Sequence, residues 1–238
     1  MDSYNNYPES SNSDSWFGEV RENFIQNVVV KTYMYMLAVL TVSGLFAYVT
    51  YSTGKALEMV QNRSFYAFLI AEIIIVIAGT SCMKRNLVVP SALLLVAYSI
   101  INGMTLSIIF LAYEMTSIIG VFFITAALFG AMAFYGHTTK KDLSALGSIM
   151  LMALMGLILV TIANVFFLKS SGLDLVLAYV GVGIFIGLTA YDAQKIKTMA
   201  AERHDLSPYT IAMYGALQLY LDFVNLLLRL LRILGKRR

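Results

Sequence analysis

The sequence has one cysteine, and charged residues make up only 13% of its 238 positions. Cys82 alone excludes an intramolecular disulfide, and its place at the end of an apolar run fits a packed thiol. No Walker loop, no dinucleotide fingerprint and no cluster with metal-ligand spacing occurs, which removes the usual nucleotide and metal enzymes. His137 and His204 fall between apolar runs, where a lone histidine is a solvated loop side chain. No basic region with an apolar core and a cleavage site opens the chain, so no signal peptide is expected. Internal repeats are absent, and nothing calls for a nucleic-acid partner.

What fills the chain is apolar. Hydrophobic residues reach 59% and mean hydropathy is +0.74, far above a soluble domain of this length. Uncharged runs at 32–54, 86–113, 115–139 and 143–168 each exceed the roughly 20 residues that cross a bilayer. Runs 64–83 and 175–191 qualify too, the first enclosing Glu72 and the second ending at Asp192. A last segment, 207–234, is apolar but carries Asp222, Arg229 and Arg232. The expectation is an all-α integral membrane protein, a bundle of seven transmembrane helices with a central polar seventh. Residues 1–23 form a polar tail that reads as disordered to about Asp14, and 24–238 form a single transmembrane domain. Residues 16–30 read either as a short interfacial helix with Trp16, Phe17, Val20 and Phe24 on one side, or as a lead-in to the first span.

Lys and Arg set the orientation. Arg21, Lys31, Lys84, Arg85, Lys140, Lys141, Lys195, Lys197 and Arg203 fall at one side, against Lys55, Arg63 and Lys169 at the other. This predicts a cytoplasmic N-terminus. The C-terminal Arg229, Arg232, Lys236, Arg237 and Arg238 oppose it, so the seventh segment either crosses against the rule or re-enters; crossing is the expectation.

Two carboxylates carry the chemistry. Asp192 and Asp222 stand in or beside apolar runs, where an unpaired charge is costly and calls for a partner, an ion or a proton. Gln218, Asp222, Asn225, Arg229, Arg232 and Lys236 repeat at spacings of three and four, placing a polar stripe on one face of the seventh helix. Such a stripe turns inward at least as far as Asn225; from Arg229 onward an interfacial placement is equally open. Ser99, Asn102 and Thr105, and Thr161 with Asn164, read as ordinary interhelical hydrogen bonds. Gly183 and Gly187 form a GxxxG pair for close helix approach.

The stretches "GLTAYDAQKIK" and "GALQLYLDFVNLLLRLL" resemble the signature of the Bax inhibitor-1 family, also called the transmembrane Bax inhibitor motif or LFG family, over roughly residues 24–234. The resemblance implies a pH-sensitive calcium leak channel of the membrane, with membrane lipid, calcium ions and protons as its partners and no tightly bound cofactor. It implies that Asp192 and Asp222 are the family's gating dyad and that Glu72 is its acidic second-helix residue. It also implies an arginine latch, for which Arg85 is the nearest match and Lys84 competes. The dyad requires the sixth helix to run past Asp192 to about Ala200 and the seventh to begin near Ser207. A tail without a long Pro-rich extension points to a bacterial member of the inner membrane.

Chemistry supports a proton switch independently, because two adjacent carboxyls in a low-dielectric site titrate as one coupled unit. Calcium ligation, as a transient event at the aspartates, could draw on Asp192, Asp222, Asn225 and Glu72, since calcium takes hard oxygen ligands; Glu72, Asn225 and Gln218 are the ion-path candidates. Carboxyl chemistry alone does not choose it over sodium or protons. Two other classes compete. A non-transporting regulatory or scaffolding protein would use the aspartates to pair helices. An intramembrane aspartyl protease would need a GxGD motif, whereas Asp222 stands in "LYLD", so no enzyme is expected.

Overall fold

The computed structural model describes residues 10–238. Helices α1 (Ser10–Ser52), α2 (Lys55–Gln61), α3 (Phe65–Lys84), α4 (Val88–Leu106), α5 (Ile109–Ala112), α6 (Met115–Thr138), α7 (Ser144–Ala163), α8 (Ser171–Glu202) and α9 (Pro208–Leu234) follow one another, with a π-helical turn at Asn164–Leu168 closing α7. Seven of them, α1, α3, α4, α6, α7, α8 and α9, are long and apolar enough to span a bilayer. The one β-type pairing among the described residues joins Tyr113 to Arg237.

Burial ranks the helices. In the most apolar window of α9, 72% of residues are inside the protein, against 6% for α3. Helix α9 is therefore the central post, and α8, α1, α6 and α4 pack around it. Ile70, Ile73, Ile74 and Ile77 on α3, and Met152, Met155 and Leu159 on α7, are exposed apolar side chains; a helix that shows such a face is solvated by lipid tails.

Local chemistry sets the helix ends. Pro208 stands in the first turn of α9, where its missing N–H costs nothing. The Ser207 hydroxyl accepts from Tyr209 N–H at 3.3 Å, and Ser207 N–H donates to Asn86 Oδ1 at 2.8 Å. Thr210 donates to the same oxygen at 2.9 Å. Asn86 reaches there because it turns left-handed at φ 57 after α3. Within the α8–α9 loop, Arg203 and Asp205 pair at 2.8 Å, and the Arg203 hydrogen bond holds Asp205 below the usual carboxylate range. A lowered carboxyl stabilises the fold above its unfolded pKa and loses that contribution on acidification; both groups are largely exposed, so the gain is slight.

Two sequence expectations change here and one alternative left open is decided. Residues 10–14 belong to α1, where disorder was expected to Asp14; residues 1–9 and the Phe17 side chain lie outside the described residues. Trp16, Val20 and Phe24 are exposed on a helix that runs unbroken into the first span, so the segment is a lead-in, not a separate helix. His137 lies in the last turn of α6, not in a loop, because that helix continues to its cap at Thr139 and the His137 carbonyl accepts from Lys197 Nζ at 3.4 Å.

Helix α9 is continuous, so it crosses instead of re-entering. Its C-terminal cations find acids at the far end of the bundle. Arg232 pairs with Asp174 at 2.9 Å, and Lys236 with Glu114 at 3.0 Å. Asp174 Oδ1 also accepts from Asn164 Nδ2 at 2.9 Å. Backbone bonds tie the terminus to the α5–α6 region: Glu114 N–H donates to Lys236 O at 3.0 Å and Arg238 N–H to Ala112 O at 3.1 Å.

Candidate functional site: a buried carboxyl pair between two helices

Helix α8 runs ten residues past Asp192 to Glu202, and α9 begins at Pro208, the geometry under which the two carboxyls meet. The two side chains stand close enough to interact directly. Asp192 is 8% exposed and Asp222 5%. An ionised carboxylate only accepts hydrogen bonds, so a bond between two of them requires a proton. Asp222 Oδ2 is buried with no protein N–H or O–H donor, and a shared proton is the donor this site can offer.

The rest of the stripe on α9 runs along α8 in antiparallel register. Asp222 meets Asp192, Arg229 lies over Gly181, and Arg232 meets Asp174. Arg229 and Arg232 are partly buried between helices, which decides the question left open for that end. A Cβ at Gly181 would stand 2.9 Å from the Arg229 side chain, so the missing side chain makes room for the guanidinium arm. Gly187 is pressed by Met150, with 2.8 Å to Cγ, whereas Gly183 faces open space. Close approach on α8 thus runs through Gly181 and Gly187, and the GxxxG expectation is corrected at Gly183.

The cation beside the dyad is Lys195. It interacts electrostatically with Asp192; its Nζ lies 3.4 Å from the Tyr214 hydroxyl and 5.5 Å from the centre of the Tyr191 ring. Gln218 Nε2 donates to the same Tyr214 hydroxyl at 3.2 Å. Arg85, the latch candidate, caps α3 and is exposed. Its rival Lys84 lines a cavity of ≈ 320 Å³ together with Lys195, Glu202 and Tyr214. Lys195 follows Asp192 by three residues and so shares its helix face; that spacing was the available signal.

Glu72 and Asn225 stand apart from the dyad. Glu72 accepts from Thr105 and also interacts with Asn102. Asn102 Oδ1 accepts from Tyr220 OH at 2.7 Å, and that hydroxyl lies 2.7 Å from Ser43 Oγ. A polar chain therefore links α3, α4, α9 and α1 through the apolar interior. Asn225 Nδ2 bonds its own helix at Leu221 O, 2.8 Å, and lines a separate cavity with Arg229 and Arg232. Among the described residues no group of three His, Cys, Asp or Glu is placed to hold a metal ion. The oxygen ligands that the sequence suggested for calcium are thus distributed over separate places.

The chain of bonds at Glu72 sets one expected outcome. If Glu72 lies on an ion path, Glu72→Gln, which keeps the shape and removes the charge, lowers flux through reconstituted protein while the protein stays folded and monodisperse. Loss of folded protein instead would assign Glu72 to the hydrogen-bonded framework alone.

Comparison with known proteins agrees with the architecture. The family description "Inhibitor of apoptosis-promoting Bax1" matches residues 25–238. The chain belongs to the Bax inhibitor-1 family. Among its relatives, the inner membrane protein YbhL of Escherichia coli K12 is 39% identical over 221 residues, 90% of this chain and 93% of that one. A Borreliella burgdorferi protein named only as uncharacterized is 39% identical over 225 residues, covering 92% and 97%. The uncharacterized protein RP147 of Rickettsia prowazekii is 36% identical over 216 residues, covering 90% and 91%. This family member is accordingly an integral membrane protein whose similarity extends over the whole bundle.

Proposed function

We propose that the protein is a pH-sensitive calcium leak channel of a bacterial inner membrane, gated by Asp192 and Asp222. One observation carries the reading: two buried carboxyls placed against each other join the central helix α9 to α8, and burying them costs free energy that apolar residues at the same places would not. With a shared proton the pair ties the two helices; with both groups charged it repels itself or draws a cation. Lys195 is the competing cation within the protein. Calcium enters through the family resemblance, as the permeating ion and not as a resident metal. Membrane lipid and protons complete the partners, and no catalytic activity is part of the proposal. The test is calcium flux through purified protein in liposomes as a function of pH; absence of flux at every pH would leave the aspartates as a helix-pairing device in a scaffolding protein.

The same proposal places the N-terminus and the loop at Lys140 and Lys141 in the cytoplasm, by the excess of Lys and Arg at that end. A cysteine substituted at Thr139 in a Cys82→Ala background should resist an impermeant thiol reagent in intact cells and react after the membrane is opened. Labelling of intact cells would reverse the orientation.

A further inference from the structure

A second site lies at the loop end of the dyad. The largest cavity described, ≈ 660 Å³, is bounded by the α6–α7 loop and the last turns of α8. Lys140, Lys141, Lys195 and Lys197 all line it, with Asp142 and Glu202 as the opposing charges. A fifth cation stands at the rim, where Arg21 donates to Ala201 O at 3.2 Å, since Ala201 is part of the wall. Cations thus outnumber acids around one concave space, and that space falls within the size range of small-ligand sites.

The arrangement is held in place by groups other than the lysines. Gln194 clamps the loop from both sides, accepting from Leu143 N–H at 2.8 Å and donating to Lys141 O at 2.8 Å. This fixes the backbone of Lys140 and Lys141 over α8. Asp142 lines the cavity but is engaged by the start of α7: its Oδ1 accepts from Ser144 N–H at 2.8 Å, and bonds from Ser144 keep its carboxyl below the usual range. Its charge is thus partly engaged at a helix N-terminus, where it is stabilised, while Lys197 Nζ donates to the His137 carbonyl at 3.4 Å, a neutral acceptor that leaves its charge uncompensated. Lys140, Lys141 and Lys197 make no salt bridge with a described acid.

We propose that this cavity binds a phosphate-bearing anion, either the headgroup of an anionic lipid or a soluble phosphate compound, through Lys140, Lys141 and Lys197. Several lysines lining one space suit phosphate oxygens, which accept charge-assisted hydrogen bonds from ammonium groups. The site stands on its own, whether or not the protein conducts ions.

The full chain, purified in neutral detergent at low ionic strength, decides it with two probes. Inorganic pyrophosphate is titrated by calorimetry, and phosphatidylglycerol doped into the micelles is compared with phosphatidylcholine by native mass spectrometry. Saturable binding of at least one probe is expected, weakened on the order of tenfold in the triple variant Lys140→Gln, Lys141→Gln, Lys197→Gln. The control Lys55→Gln, Arg63→Gln, Lys169→Gln removes the same charge from the opposite end and should bind like the wild type. Pyrophosphate alone would identify a soluble phosphate ligand, and phosphatidylglycerol alone a lipid headgroup. If neither probe saturates, or if both triple variants weaken binding equally, the proposal is overturned. Should the first triple variant melt early, Lys197→Gln by itself serves, because its side chain is exposed on the last turns of α8.

Discussion

Asp192→Asn and Asp222→Asn should each shift or flatten the pH dependence of calcium flux, and the double variant should add little to either. The expectation follows from contact. The carboxyls interact directly inside the protein, so removing one ionisable group abolishes the coupled titration of both. Asparagine preserves shape and leaves the remaining acid a hydrogen-bond donor, which limits damage to packing. Residues acting as one unit are non-additive, with interaction energies of about 0.5–3 kcal/mol, and the double-mutant cycle in flux measures that coupling. The measurement is flux from liposomes between about pH 5 and about pH 8, the range in which a carboxyl proton switch would have to work. A pair that merely fastens α8 to α9 predicts altered thermal stability with the pH profile unmoved, and that result in all three variants would remove the gate.

Gly136→Ala should destabilise the bundle more than any other glycine-to-alanine change on α6. A Cβ there would stand 2.0 Å from Ala190 O and 2.9 Å from Ala190 Cα. Both are backbone atoms, so no side chain can swing aside and α6 must move off α8. Overpacking of this kind costs about 1–3 kcal/mol, occasionally more, against a gain of about 1 kcal/mol from helix propensity. Ala190 lies two residues before Asp192, so the same displacement disturbs the dyad. Gly130 on α6 has nothing within 4 Å of its Cβ position, and Gly130→Ala should be neutral or slightly stabilising. Thermal unfolding of the purified protein, followed by fluorescence, compares the two; equal melting temperatures would mean that the α6–α8 contact is looser than the structure shows. Gly103 on α4 presents a similar contact, 2.5 Å from Ser43 O, beside the polar chain that ends at Glu72.

The spans were legible because a bilayer imposes a length on an uncharged run, and run length is a local property of the sequence. The crossing of the seventh segment was an expectation until its charges could be placed. Arg232 and Lys236 find Asp174 and Glu114, residues more than fifty positions away that no local pattern joins to them. The polar stripe on α9 was readable from its three-and-four spacing, which is a property of one helix. What each member of the stripe touches depends on how α8 is rotated against it, and that needs the partner helix.

The sequence by itself determined the medium, the seven apolar spans, the inward-facing stripe and the identity of the two acids. Each follows from composition or from periodicity within one segment. Only the tertiary structure decided that Lys195, and not Arg85, stands beside Asp192, that Glu72 belongs to a chain with Asn102, Tyr220 and Ser43, and that Gly136 is where α6 meets α8. The reason is physical: in an apolar medium nearly every face of a helix is hydrophobic, so the packing of small residues and the pairing of scarce polar groups, not amphipathicity, fix the rotation of one helix against the next.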